Sequence, residues 1–181
     1  MTQRNAAITL ATTALSLSIC VCQPLVPLKA RPRVVLHADS AEVPVHFTQR
    51  AYVAKIGFMF VNDTDQPLSR ASCGPILPAL EKRIDGHWVA AYYPASLSCR
   101  IIPDPVLPPG TTFRDVLEFM AYEPGHQMLP ELRVKSIDGV YRLRLGFTEG
   151  TDATAKGARY VEATSNEFRM VLLPASRTPL E

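Results

Sequence analysis

Outside residues 1–30 the sequence shows no helical period over the ~10 residues that a helix needs. Glycine is also scarce, with 9 residues against 16 prolines. Because proline interrupts helices and is confined to the edges and turns of sheets, this balance predicts many short strands joined by stiff loops. Hydrophobic residues make up 47% of the chain and charged residues 20%, which is ordinary for a globular protein and excludes disorder over the whole chain.

The motifs of catalysis and cofactor binding are missing as well. Without a Gly-x-Ser-x-Gly elbow, Ser72, Asp85 and His87 are expected in turns and on the surface, not in a hydrolase site. Glycine-rich phosphate loops are absent. The histidines lack the spacing of metal ligands; they are His37, His46, His87 and His126. The sequence therefore predicts no enzyme, no catalytic residue, no cofactor and no metal.

The first 30 residues are typical of an export signal. A single positive charge at Arg4 precedes an uncharged stretch, residues 6–22, which is short against the ~20 apolar residues of a membrane span. The Leu-Ser-Ile-Cys run that ends at Cys20 resembles a lipoprotein box in which Cys20 carries the lipid, although Ile19 stands where a small residue is usual. The alternatives are a peptidase cut after Ala30 and a leader that is retained. We predict an exported protein of the periplasm or cell envelope.

The charge that remains after such processing is balanced. A cut after Ala30 would leave 17 basic and 17 acidic residues, because the leader holds two basic residues and no acidic ones. Such a body does not recruit nucleic acid or an anionic membrane. The expected partner is another envelope protein, with membrane contact only through a lipid anchor or a retained leader.

Cys73 and Cys99 are the only cysteines of the body. In an exported protein such a pair predicts a disulfide, worth about 3 to 4 kcal/mol on the chain-entropy model. The alternative is two buried free thiols. The pair brackets a predicted hairpin with Asp85-Gly86 at its turn, and Trp88 is expected to be buried beside the disulfide.

Alternation of apolar and polar residues predicts the other strands. In the strand predicted at 52–62 one face should be apolar, and the turn at 62–65 should close the strand; that face carries Tyr52, Ala54, Ile56, Phe58 and Phe60. Residues 132–147 are predicted as a second hairpin around Asp138-Gly139. Its return strand should bury Tyr141, Leu143, Leu145 and Phe147 and expose Arg142 and Arg144. A less favoured interpretation is an anion-binding patch of those two arginines with Arg133 and Lys135.

The proline-rich run at 103–110 is predicted to be a loop that crosses between sheets. Within it Val106, Leu107 and Pro108 are the candidate binding residues. The expected layout is a signal peptide or lipoprotein leader at 1–30, a linker and edge strand at 31–49, a β-sandwich domain at 50–174 and a flexible tail at 175–181.

Five motifs in order resemble a known pattern: Phe60-Val61-Asn62-Asp63-Thr64, Ile84-Asp85-Gly86-His87-Trp88, Leu107-Pro108-Pro109-Gly110-Thr111, Gly139-Val140-Tyr141-Arg142-Leu143 and Ser165-Asn166-Glu167-Phe168. Over residues 50–173 the chain resembles bacterial immunoglobulin-like sandwich domains, and is similar to the group around the BsuPI-type proteinase-inhibitor domain and its exported relatives. The resemblance implies an all-β fold, an antiparallel immunoglobulin-like β-sandwich of about seven to nine strands after an N-terminal signal helix.

The sequence favours a non-enzymatic exported binding or accessory protein that acts through loops or a strand edge. The alternative is a proteinase inhibitor that presents the rigid proline-rich loop to a protease cleft. A small hydrolase with an unrecognised site is a third and less favoured hypothesis.

Overall fold

Strands form the regular structure of the residues that the computed structural model describes, which are 33–70, 77–92, 106–126 and 128–174. Within those ranges no helix occurs, and the all-β prediction is confirmed. The strands are β1 (Arg33–Ala38), β2 (Glu42–Thr48), β3 (Ala51–Asp63), β4 (Leu68–Ser69), β5 (Ala79–Ile84), β6 (His87–Tyr92), β7 (Val106–Leu107), β8 (Thr112–Tyr122), β9 (Gly139–Glu149), β10 (Tyr160–Thr164) and β11 (Phe168–Leu172). No helix in those ranges is long and apolar enough to cross a membrane.

The strands form two layers. In the first layer β3 lies between β8 on one side and β1 with the end of β2 on the other. In the second layer β9 is central, with β10 and β11 in line along one edge and β5 and β4 in line along the other. Outside these, β6 pairs with β5 and β7 with β4. The described residues hold eleven strands, more than the seven to nine expected, and two of them have only two residues each.

β2 belongs to both layers. Residues 42–45 run parallel to β11 in the second layer, and residues 46–48 run antiparallel to β3 in the first. Residues 33–48, where a linker and edge strand were expected, are thus paired with the rest of the sheet. Pro44 lies in the parallel part of β2, at an edge where its missing amide hydrogen breaks no ladder.

The core fills the space between the layers. On β3 the side chains of Ala54, Ile56, Phe58 and Phe60 are buried, and on β9 those of Tyr141, Leu143, Leu145 and Phe147, as the alternation predicted. The two layers meet directly where the rings of Phe60 and Phe147 lie 5.0 Å apart. A second contact joins Tyr92 of β6 to Phe119 of β8, with ring centroids 4.9 Å apart.

The first predicted hairpin is present, but Trp88 is not buried. Asp85 and Gly86 have φ of 49° and 81°, as a two-residue turn of this kind requires, and Ile84 pairs with His87. The pairing then shifts by one residue at Ala91, so that Tyr92 faces the core whereas Trp88 faces outward and is half-buried. The prediction failed because this β-bulge reverses the alternation along β6.

The second predicted hairpin is not formed. Residues 132–138 have no regular structure, and β9 begins at Gly139. Its neighbours are β4, β5, β10 and β11 instead. Asp138 does not close a turn onto β9; its carboxylate accepts a hydrogen bond of 2.7 Å from the amide of Leu172.

Several predictions fall on residues outside the described ranges. These are the leader with Cys20, the Cys73–Cys99 disulfide and the tail at 175–181.

Candidate functional site

Among the strands that the structure describes, residues 106–122, here called the edge segment, form an edge of both layers. β7 pairs with β4, with Leu107 opposite Leu68, and β8 pairs with β3 along its whole length. Between them the turn at 108–111 carries the chain from the second layer to the first. The predicted crossing between sheets is therefore confirmed for the described part of the proline-rich run.

The buried side chain of Asn62 fixes this turn. Its Nδ2 donates hydrogen bonds to the carbonyl oxygens of Leu107 at 3.0 Å, Pro108 at 3.1 Å and Gln66 at 3.0 Å. Its Oδ1 accepts hydrogen bonds from the amide and the hydroxyl group of Thr64. A single amide thus joins the turn after β3 to the turn before β8, and the second turn is held in one conformation.

The three predicted binding residues occupy different environments. Val106 is exposed over 40% of its surface, and Pro108 is exposed at the turn. Leu107 is half-buried because its side chain packs against the core. The loop presents Val106 and Pro108 to a partner, while Leu107 anchors it.

The backbone of β8 offers a row of hydrogen-bonding groups away from β3. The amide of Asn62 donates to the carbonyl of Thr111, and the amide of Tyr122 donates to Pro130 on the far side. Because these directions alternate along an antiparallel strand, the even-numbered residues from Thr112 to Tyr122 direct their amide and carbonyl groups outward. Among the described residues, β8 pairs with no strand on that side except at Tyr122, which bridges to Glu131. The amide of Met120 donates a hydrogen bond to the hydroxyl of Tyr92.

The side chains of those even-numbered residues lie on the outer face of the first layer. Val116 and Met120 are each 43% exposed. Arg114 lies 4.0 Å from the carboxylate of Asp39, and Glu118 lies 3.4 Å from the ammonium group of Lys55. These pairs are exposed, so that they contribute little to folding and are available to another molecule.

The side chain of Asp115 is hydrogen-bonded to one of the outward amides of β8. Its Oδ1 accepts a hydrogen bond of 2.8 Å from the amide of Val116. Together with Leu77 and Glu118 these residues line a shallow depression beside the strand. A charged side chain on an edge strand is a common protection against indiscriminate pairing, so a partner strand must displace this carboxylate.

Residues 130–133 close one end of the same side. Tyr122 donates to Pro130 and accepts from Leu132, and the amide of Arg133 donates to the carbonyl of Ala91. Ala91, the bulge residue of β6, is therefore hydrogen-bonded to residues 130–133, which are also hydrogen-bonded to β8. The sequence carries no signal for this bridge, because the segment is irregular and both its partners are distant in the chain.

The outer face of the second layer carries a network of charged groups. Glu81 has a side chain only 10% exposed, and its carboxylate lies 2.8 Å from Arg142 Nη2 and 2.7 Å from Arg144 Nε. Arg144 also contacts Glu162 at 2.9 Å. The guanidinium carbon of Arg142 lies 4.5 Å from the ring centre of Trp88. Both arginines point outward as predicted. Their ion pairs join β9 to β5 and β10, so they are not simply solvated.

The alternative anion-binding patch depended on a strand pairing that is absent. Arg133 and Lys135 belong to the irregular residues 132–138 and do not pair with β9. Across the described ranges, no three His, Cys, Asp or Glu side chains gather as metal ligands would.

One buried ionisable cluster lies where β9 begins. Burial, followed by the charge of Asp138, raises the pKa of Tyr141, whose hydroxyl donates to the carbonyl of Ile137 at 2.7 Å. Burial also lowers the pKa of Lys82, whose Nζ donates to Ser136 at 2.6 Å. The Tyr141 hydroxyl and the Lys82 ammonium group thus both donate to main-chain carbonyls. These hydrogen bonds stabilise the residues before β9 and do not form a reactive site.

Comparison with known proteins finds no family model, no curated relative and no solved structure that matches the chain. The geometry of the edge segment is accordingly the basis for assigning a function.

Proposed function

We propose that the protein is a non-enzymatic exported binding or accessory protein of the bacterial envelope, and that it binds a protein partner through the edge segment. One observation carries the proposal. From Thr112 to Glu118, β8 directs a row of amide and carbonyl groups away from β3, the one strand with which it pairs among the described residues. Two layers of mostly antiparallel strands around one core support the immunoglobulin-like sandwich that the motif resemblance implies.

Binding proceeds by addition of a strand to β8. An extended segment of the partner forms main-chain hydrogen bonds with the outward groups, while its alternate side chains meet those of β8. Val116 and Met120 supply apolar contacts. Arg114 and Glu118 favour a partner strand that carries opposite charges at the facing positions. The Asp115 carboxylate leaves the Val116 amide as the new strand arrives.

Export and covalent processing belong to the same proposal. The leader directs the chain to the periplasm or envelope, with lipid attachment at Cys20 and cleavage after Ala30 as the alternatives, and Cys73 joins Cys99 as a disulfide. Mass spectrometry of protein alkylated before and after reduction tests these features. Alkylation of both body cysteines without reduction contradicts the disulfide.

Site-specific photo-crosslinking tests the binding edge. A photoreactive amino acid at Val116 or Met120 should give products of defined mass in the envelope fraction, whereas Tyr160, exposed on β10, serves as the control. Glu118→Pro should remove the products because it deletes an outward amide that makes no bond to β3, and Glu118→Thr should keep them. Equal products at Tyr160, or none at either edge position, contradict the proposal.

A second candidate function is proteinase inhibition by the rigid loop. The observation that favours it is the set of hydrogen bonds from Asn62 to the carbonyls of Leu107 and Pro108, which hold the loop in one conformation. An inhibition assay with a panel of proteases tests it. Inhibition that is lost in Val106→Asp and kept in Val89→Asp supports it, and failure to inhibit any protease contradicts it.

A further inference from the structure

We propose that the outer face of the second layer is a binding site for an uncharged, linear glycan, separate from the edge segment. Two aromatic side chains lie on this face, Trp88 on β6 and Tyr160 on β10. Ion pairs between β5, β9 and β10 fill the space between the two rings. The site does not depend on the partner that binds the edge segment.

A continuous series of contacts begins at Trp88. The guanidinium carbon of Arg142 lies 4.5 Å from the centre of the Trp88 ring, and Arg142 Nη2 lies 2.8 Å from the carboxylate of Glu81. That carboxylate also lies 2.7 Å from Arg144, which contacts Glu162 at 2.9 Å. The four charged residues, here called the charged row, therefore alternate in sign and lead from β6 to β10.

Tyr160 lies at the other end of the charged row. A Cβ atom at position 146 would overlap its hydroxyl group and would lie 2.6 Å from its Cζ, so the ring extends over Gly146 where only glycine leaves room. Glu162 pairs with Gly146 and is therefore beside the ring. Tyr160 is nevertheless 62% exposed. The ring is held against β9 and still has a large surface open to a ligand.

This combination of groups matches the chemistry of a sugar. A pyranose ring presents C–H groups on its faces, which are attracted to the negative face of an aromatic ring. Its hydroxyl groups both donate and accept hydrogen bonds. The charged row offers guanidinium donors and carboxylate acceptors in alternation, and charge-assisted hydrogen bonds of this kind are stronger than neutral ones. Trp88 and Tyr160 supply the aromatic surfaces.

The balance of the charged row favours an uncharged ligand. Arg142 and Arg144 carry two positive charges, and Glu81 and Glu162 carry two negative charges, so a polymer of one sign would be attracted and repelled in turn. The ion pairs also hold these side chains in place before the ligand arrives. Binding therefore costs little side-chain entropy.

The spacing of the two rings favours a linear glycan. β6 pairs with β5, β5 with β9 and β9 with β10, so three strand spacings separate the rings across the sheet. At about 4.8 Å for each spacing, this is about 14 Å. A disaccharide is too short to reach both rings. A longer chain contacts one ring at each end and the charged row between them.

The fluorescence of Trp88 reports binding directly, because it is the only tryptophan of the chain. Cellohexaose, chitohexaose and maltohexaose are titrated into the protein as isolated, and isothermal titration calorimetry measures the same binding without that reporter. We expect at least one hexasaccharide to change the emission in a saturable way. The corresponding disaccharide should bind more weakly, and the dissociation constant should be the same at low and high salt because the ligand is uncharged.

Variants at the far end of the charged row test the site without altering the reporter. Tyr160→Ala should raise the dissociation constant about tenfold or more, and Tyr160→Phe should stay close to wild type because it keeps the ring. Gly146→Ala should also weaken binding, because it displaces the ring and changes no group that contacts the ligand. Phe47→Ala removes an exposed ring of β2 and should leave the constant unchanged. Circular dichroism verifies that each variant is folded.

Three results would overturn the inference. The first is the absence of saturable binding of every hexasaccharide by both fluorescence and calorimetry. The second is equal affinity in wild type and a folded Tyr160→Ala variant, which would place the glycan elsewhere. The third is a protein of the envelope fraction crosslinked through position 160, which would make this face a protein-binding surface.

Discussion

The side-chain amide of Asn62 donates a hydrogen bond of 3.0 Å to the main-chain carbonyl of Leu107, although 45 positions separate the two residues in the sequence. The same nitrogen also bonds Pro108, and the opposite end of the amide bonds Thr64. The turn that starts the edge segment is therefore held by a buried group of β3. The position at which β8 enters the first layer depends on that one side chain.

Replacement of Asn62 by Ala should lower the free energy of unfolding by about 2 to 4 kcal/mol, because buried carbonyls lose their donor. Asn62→Asp keeps the acceptor for Thr64 but places a carboxylate beside three carbonyl oxygens, so its destabilisation should diminish at low pH. Urea unfolding at pH 7 and pH 4 measures both effects. Equal stability of wild type and Asn62→Ala contradicts the role given to Asn62.

The charged network on the second layer predicts a contrast between two ion pairs. Glu81→Gln leaves two arginines around a side chain that is only 10% exposed, and we expect a loss of about 2 kcal/mol after allowance for partial solvent screening. Arg159→Gln removes an arginine that is 76% exposed and should change stability by less than about 0.5 kcal/mol. Chemical denaturation compares the two, and similar losses would refute the assignment of the network.

Trp88 provides a test of the bulge in β6. A half-buried tryptophan on the outer face should be quenched by acrylamide in the native state, and Trp88→Ala should cost clearly less than Phe119→Ala, for which about 3 to 5 kcal/mol is expected. Blue-shifted emission that acrylamide does not quench would instead place Trp88 in the core.

The raised pKa of Tyr141 predicts a loss of stability in alkali. Below its ordinary pKa of about 10 the phenol is protonated in both states and has no effect. Above that pH the unfolded chain releases the proton while the buried phenol keeps it, so stability falls by up to about 1.4 kcal/mol per pH unit. Lys82, whose pKa burial lowers, acts in the opposite direction over part of this range.

Comparison of wild type with Tyr141→Phe isolates this contribution. The variant loses the hydrogen bond to Ile137 at every pH, but its stability should fall less steeply between pH 9 and pH 11. Urea midpoints at pH intervals give the slopes. Parallel slopes for the two proteins would mean that Tyr141 ionises normally.

Local alternation was sufficient to predict what faces the core on the long strands. Phe58 and Phe60 of β3 and Leu143 and Leu145 of β9 are buried as their spacing indicated, because a two-residue period survives wherever a strand is uninterrupted. Trp88 is the exception for a physical reason. Ala91 adds one residue to β6, and an alanine carries no mark of a bulge in the sequence.

Local sequence patterns did not predict which distant strands pair with one another. Asp138-Gly139 has the chemistry of a hairpin turn, yet Gly139 pairs with Met170, and Asp138 bonds the amide of Leu172. The candidate site was likewise predicted only in part. Val106, Leu107 and Pro108 were predicted as the binding residues of a crossing loop, and Leu107 instead packs against the core. The position of β8 at an edge of the described strands depends on which strands flank it, and the sequence does not specify that.

Hydrogen exchange at single amides of β8 tests the binding edge most directly. The amides of odd-numbered residues, such as Leu117 and Phe119, bond to β3 and should exchange slowly whether or not a partner is present. The amides of Arg114 and Glu118 should exchange rapidly in the purified protein and slow when the envelope fraction is added, and Glu118→Pro should abolish that slowing at Arg114. Val116 and Met120 are set aside because their amides already bond the side chains of Asp115 and Tyr92. Exchange at Arg114 and Glu118 that is equally fast, or equally slow, with and without the envelope fraction would contradict the account.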